Sequence, residues 1–217
     1  VRLRHYRNGC ALLLACAFCW FTATGQKTPP PAGDAQSYPA MDAHAEEHVA
    51  VAADPLDTHE KEGIFKIDYL KAGYLPVRLV ITNSGDSRIK LDQVRVYFVT
   101  ADGEKVKAAE PEDVERRIAD PGNPTKAMVA PFPLRGLMKP RNKDPKVEAD
   151  FKLADFADLV VAPHETQSGY LFFDISGYEA PLAGAKLLVR GIQSADGTEL
   201  FAFEAPFDKY LARKAKP

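Results

Sequence analysis

His44-Ala45-Glu46-Glu47-His48 is the stretch of this chain whose residue types and spacing come nearest to a reactive centre. On a helix, histidines at i and i+4 share a face. The spacing matches the inverted zinc-hydrolase pattern His-x-x-Glu-His, in which two imidazoles hold the metal and a glutamate serves as base. Such a site also needs a distant third ligand and a rigid wall to carry the helix. The motif lies beside a linker instead, so solvated polar side chains are the simpler reading. A metal-dependent hydrolase using His44 and His48 stands as the alternative. His164, Ser168 and Asp174 supply the residue types of a hydrolase triad. No Gly-x-Ser-x-Gly elbow surrounds Ser168, which falls on a predicted strand face, and a turn histidine with a strand serine is the plainer account. Neither a Walker loop nor Gly-x-Gly-x-x-Gly occurs. The sequence therefore assigns no catalytic residue, no metal and no cofactor, and points away from an enzyme.

A binding role has a better physical basis. The segment 121–145 holds Lys126, Arg135, Lys139, Arg141 and Lys143 against Asp144 alone, interleaved with apolar residues. Its prolines (121, 124, 131, 133, 140 and 145) forbid a long helix or a central strand. Arg135, Lys139, Arg141 and Lys143 would supply charge to an anionic envelope component, with Phe132 and Leu137 as apolar anchors. The plain alternative is a loop without a partner. A third reading lays the acid-rich stretch 34–62 along this basic segment, held by weak, screened attraction.

These residues need a scaffold, and the composition bounds it. The chain has 217 residues, 23.8 kDa and a net charge of −2, which argues against nucleic-acid binding. Arg2, Arg4 and Arg7 precede the apolar run from Cys10 to Phe21, which falls short of the ~20 residues that cross a bilayer. Two readings of this export signal stay open. Ala23-Thr24-Gly25 fits cleavage before Gln26, whereas Leu13-Leu14-Ala15-Cys16 resembles a loose lipobox that would lipidate Cys16 and tether the protein to a membrane. All three cysteines (Cys10, Cys16, Cys19) fall in this segment, so the folded part has neither disulfides nor thiolate sites.

Beyond the signal the expected organisation is a Pro/Ala-rich linker over 26–45, a β domain over 46–212 with an insert at 110–159, and a basic tail over 213–217. Period-two patterning predicts strands at Val77–Thr82, Val94–Thr100, Thr166–Ile175 and Lys186–Ile192. Asn83-Ser84-Gly85-Asp86, Asp102-Gly103 and Asp196-Gly197 supply the turns. On the first strand Val77, Leu79 and Ile81 share a face and Arg78 points the other way. A short edge strand is expected at 48–53 and an alternating strand at Ile64–Tyr69. Phe201 and Phe203 are expected to face inward on a strand over 199–204. Short helices are expected after Glu110-Pro111, over 147–159 and over 207–212.

Hairpin signals and two inward faces predict an all-β fold, an immunoglobulin-like antiparallel β-sandwich. Leu75-Pro76-Val77-Arg78-Leu79-Val80-Ile81-Thr82-Asn83-Ser84-Gly85-Asp86, followed by Ala101-Asp102-Gly103-Glu104-Lys105, resembles the core hairpins of telokin-like extracytoplasmic bacterial domains. The resemblance covers about a seventh of the chain. It implies the fold and an extracytoplasmic place, in the periplasm or at the cell surface. It brings no catalytic residues. The expected protein is a non-enzymatic exported module that binds or builds at the envelope. A carrier of a small apolar ligand between the sheets is a further alternative.

Overall fold

The β-branched run that begins at Pro76 becomes the spine of the molecule. In the computed structural model, which describes residues 29–119 and 143–215, it lies in strand β3, Tyr74–Asn83. The strands before it are β1 (Met41–His44) and β2 (Val49–Pro55), followed by the short helix α1 (His59–Glu62). After β3 come β4 (Ile89–Lys90), β5 (Arg95–Val99), β6 (Lys105–Lys107) and the helices α2 (Pro111–Ala119) and α3 (Pro145–Ala154). The chain closes with β7 (Val160–Val161), β8 (Glu165–Asp174), β9 (Lys186–Arg190), β10 (Phe203–Pro206) and helix α4 (Asp208–Lys214). One antiparallel sheet runs β1-β2-β3-β8, a second runs β10-β9-β5-β6, and β4 pairs with β7. The fold is all-β, as expected, with a few short helices. Among the described residues no helix is long and apolar enough to cross a membrane.

The two larger sheets close on one core. Leu75, Val77, Leu79 and Ile81 of β3 meet Phe98 of β5, Leu187 and Val189 of β9, and Phe203 of β10. At one margin the sheets are joined by the Ala108–Phe173 bridge and by the amide of Ala109 donating to the Phe172 carbonyl at 2.7 Å. At the opposite margin, strand β1 lies beside β10 without a backbone ladder. There Asp42 accepts from the Glu204 amide (2.8 Å) and Glu47 from the Phe201 amide (2.9 Å). Carboxylates thus occupy donors that an edge strand would otherwise offer to another chain.

The first sheet is covered on its outer face too, which corrects the one-sided burial read from the sequence. Residues 29–40 are not a free linker. They pack across β2 and β3, with Ala35 against Ala50, Ala52 and Val80, and the Ala35 amide donates to Thr82 Oγ1 at 2.9 Å. Consequently β2 is an inner strand between β1 and β3, not an edge, and β1 itself arises from the expected linker. Small alanines on β2 let the arm approach closely. Arg78 does not reach solvent either. It is 7% exposed, donates to the Pro30 carbonyl (2.7 Å) and to Ser168 Oγ (3.1 Å), and lies 5.5 Å from the Tyr170 ring centre.

The other half of that face carries the helices. Val114 of α2, Val147 and Phe151 of α3, and Phe65 and Tyr69 pack on Tyr74, Tyr170 and Phe172. The Phe151 ring lies tilted at 4.8 Å from the Phe172 ring centre, and Tyr69 stacks on it at 4.2 Å. Residues Ile64–Tyr69 therefore form turns rather than the alternating strand expected, because their aromatic residues dock on the sheet from above. Asp150 fixes this layer. Fully buried, it accepts from the amides of Lys66 (2.9 Å) and Ile67 (3.0 Å), tying α3 to the turn. Burial raises its pKa, and the two amides pull it back. Gly169 completes the fit: a Cβ there would meet the Phe156 ring at 2.5 Å and the Ala154 carbonyl at 2.8 Å.

Two smaller corrections concern the C-terminal part. Phe201 is 80% exposed and precedes β10, so only Phe203 faces in. Helix α4 extends through Arg213 and Lys214, which the sequence placed in a frayed tail. Replacing Asp150 by Ala should cost about 2 kcal/mol, because two part-buried backbone amides lose a charged acceptor. Urea unfolding of the variant beside the wild type measures it, and a change below about 0.5 kcal/mol would contradict the role given to this carboxylate.

Candidate functional site

Most groups that the sequence offered for chemistry turn out to be apart or occupied. His44 ends β1, and residues 45–48 form the hairpin turn into β2, so no helix aligns it with His48. Its imidazole stacks on Phe203 at 4.0 Å, with Nδ1 2.7 Å from Glu47 Oε2 and Nε2 3.4 Å from Asp42 Oδ2. His48 takes φ 56 at the end of the turn, where its carbonyl accepts from the Ser84 amide at 2.8 Å. The two-histidine metal arrangement is thereby lost. The triad is dispersed as well. His164 faces Asp86, Ser168 accepts from Arg78, and Asp174 pairs with Arg117 at 2.5 Å. Ser168 and Asp174 are six residues apart along one strand, roughly 20 Å.

Of the proposed contact residues, Phe132, Arg135, Leu137, Lys139 and Arg141 lie outside the described residues, as does Cys16. Lys143 is described. It is exposed, just before Asp144, which caps α3 by accepting from the Lys146 amide at 2.8 Å. The space between the sheets is filled by Leu79, Phe98, Phe173 and Leu187, all nearly or fully buried.

A cleft of about 420 Å³ opens elsewhere, where the N-terminal arm, the end of β2 and helix α4 converge. Ser37, Tyr38 and Pro39 form one wall, Asp54, Asp57, Thr58 and Lys61 a second, and Tyr210, Arg213 and Lys214 a third. Its charges are wired in a chain. Lys61 Nζ donates to Asp54 Oδ1 (3.2 Å), to the Pro55 carbonyl (3.1 Å) and to Tyr210 Oη (3.1 Å), which uses its three protons. Tyr210 Oη donates onward to Asp57 Oδ1 at 2.6 Å, and Lys214 Nζ donates to Asp57 Oδ2 at 2.7 Å. Burial alone would raise the pKa of Asp57. The bonds from Lys214 and Tyr210 outweigh it and hold the carboxyl below its ordinary range. Tyr210 is pushed up by burial and by the same carboxylate.

With Lys61, Asp57 and Tyr210 committed to one another, the remaining donor capacity sits at the rim. Arg213 is exposed and makes no ion pair among the described residues, and Lys214 has two further N–H bonds. The arrangement can hold an anionic group at the rim, in a cleft that Tyr38 and Tyr210 also line. It offers no nucleophile activated by a base. No local sequence pattern marks this site as a whole, because its parts are far apart in the chain. One signal was available: Tyr210 and Lys214, four apart on a helix, share a face.

The lowered pKa of Asp57 has a definite consequence. A carboxyl whose folded pKa lies below its unfolded value of 3.8 adds stability that is complete above that pH. That contribution is lost as pH falls through the folded value. Asp57→Asn should cost about 2 kcal/mol at pH 6, and the gap to wild type should shrink below about pH 4. Denaturant unfolding across this range measures both curves, and a gap that is constant down to pH 3 would contradict the assignment. Comparison with family models, with curated proteins and with solved structures finds no match for the chain.

Proposed function

We propose that the protein is a non-enzymatic binding or structural module of the cell envelope, exported from the cytoplasm, whose partner is anionic. The reading takes the fold as an immunoglobulin-like β-sandwich, with two four-stranded antiparallel sheets around a shared core. One observation carries it: the cleft at α4 has an internally neutralised floor and an uncommitted cation, Arg213, at its rim. A catalytic cleft would keep a titratable group within reach of a substrate atom. Here Asp57, Tyr210 and Lys61 spend their hydrogen bonds on one another and on the backbone. What is left is a cation beside aromatic rings, suited to a carboxylate or phosphate borne on a flat or apolar body.

Export rests on the cationic and apolar start of the sequence, and membrane tethering on Cys16. The cations of the insert (Arg135, Lys139, Arg141 and Lys143) would extend the same charge preference to a second patch. Arg213→Ser should weaken sedimentation with envelope fractions roughly fivefold, the equivalent of about 1 kcal/mol for one exposed charge. Replacing the four insert cations by Ser should weaken it further, with thermal unfolding nearly unchanged in both variants. Binding that is indifferent to both changes, or to the addition of salt, would remove the proposal.

A further inference from the structure

We propose that His59, Glu62 and Asp68 form a binding site for a first-row divalent cation, with zinc the best match and the remaining coordination open to solvent. His59 and Glu62 are three residues apart on α1 and so share a face of that turn. Asp68 arrives from the loop that follows. One donor atom from each residue lies within 4.8 Å of the other two. His59 Nδ1 stands 2.8 Å from Glu62 Oε1 and 3.5 Å from Asp68 Oδ1. Around a tetrahedral zinc with bonds of about 2.0–2.1 Å, ligand atoms lie roughly 3.4 Å apart. The His59–Glu62 contact has to open slightly, and the His59 side chain, 73% exposed, is free to turn.

The surroundings are built as metal sites are. Backbone donors orient both carboxylates: the Leu70 amide reaches Glu62 Oε2, the oxygen turned away from His59, at 3.0 Å, and the Lys71 amide reaches Asp68 Oδ1 at 2.9 Å. Glu62 is 3% exposed, yet the carboxylate of Asp68 lies beside it. Two like charges brought together beside a buried carboxylate are costly unless a proton or a cation lies between them. The nearest lysine on the helix does not fill that part, since Lys61 turns the other way, to Asp54 and Tyr210. One imidazole and two carboxylates favour zinc, cobalt or manganese over calcium, which takes oxygen alone, and over copper(I), which prefers sulfur. Exposed His59 leaves an entry path for the ion.

The test uses the full chain with Cys10, Cys16 and Cys19 replaced by serine, so that thiolates do not compete. Zinc is titrated by calorimetry, and cobalt(II) by its visible absorption. One ion per chain is expected, bound at least about tenfold more weakly in His59→Ala and in Asp68→Asn, with His44→Ala unchanged. Both substitutions fall on exposed side chains, and circular dichroism confirms that the fold is kept. The absence of saturable binding in the parent chain would overturn the proposal. So would binding that survives both substitutions, or that is lost with His44→Ala.

Discussion

Burial of both faces of the β1-β2-β3-β8 sheet is the constraint on which the rest of the molecule depends. Strand β3 sits between β2 and β8, so its backbone is paired on both sides. Its inner residues Leu75 to Ile81 fill the space under the second sheet, and its outer residues are roofed by the N-terminal arm and by α2 and α3. Without that roof Tyr74, Val80, Tyr170 and Phe172 would face water, and the arm and helices have no other core to join. The domain has no disulfide to fall back on, so this apolar area must hold it.

Polar groups serve the same layering. Arg78 reaches back from the sheet to the arm at Pro30, Asp150 reaches from α3 to the turn at Lys66 and Ile67, and Asp57 fastens α4 through Tyr210 and Lys214. Each joins segments distant in the chain, and each is satisfied by several hydrogen bonds, as buried charge requires. The cleft at α4 is a by-product of this fastening. Its floor is neutral because it is structural, and this leaves Arg213 at the rim without an ion pair among the described residues. The cluster at His59 differs, because its carboxylates converge on an imidazole that is open to solvent.

The strands were legible wherever alternation survives. β3, β5, β8 and β9 all appear close to where Val, Ile, Leu and Phe repeat every second residue. Alternation misled where a second layer covers the strand or where aromatics dock from above. Arg78 reads as a solvent-facing residue until the arm is present to cover it. Ile64 to Tyr69 alternates, yet Phe65 and Tyr69 are anchors in turns. The alanines of β2 held a usable hint, since small side chains on a strand invite close packing. Little of the candidate site was legible. Asp57 and Lys214 meet across 157 positions, and no local pattern encodes such a contact. The pairing of His59 with Glu62 was visible as an i,i+3 spacing, but Asp68 was absorbed into a strand that does not form.

Native-state hydrogen exchange of β3 tests the central claim most directly. If the sheet is sealed on both faces, the amides of Leu79, Val80 and Ile81 should exchange only through global unfolding, with protection matching the unfolding free energy from denaturant titration. Exchange of these amides through local openings, at rates like those of the exposed strand β6, would contradict it.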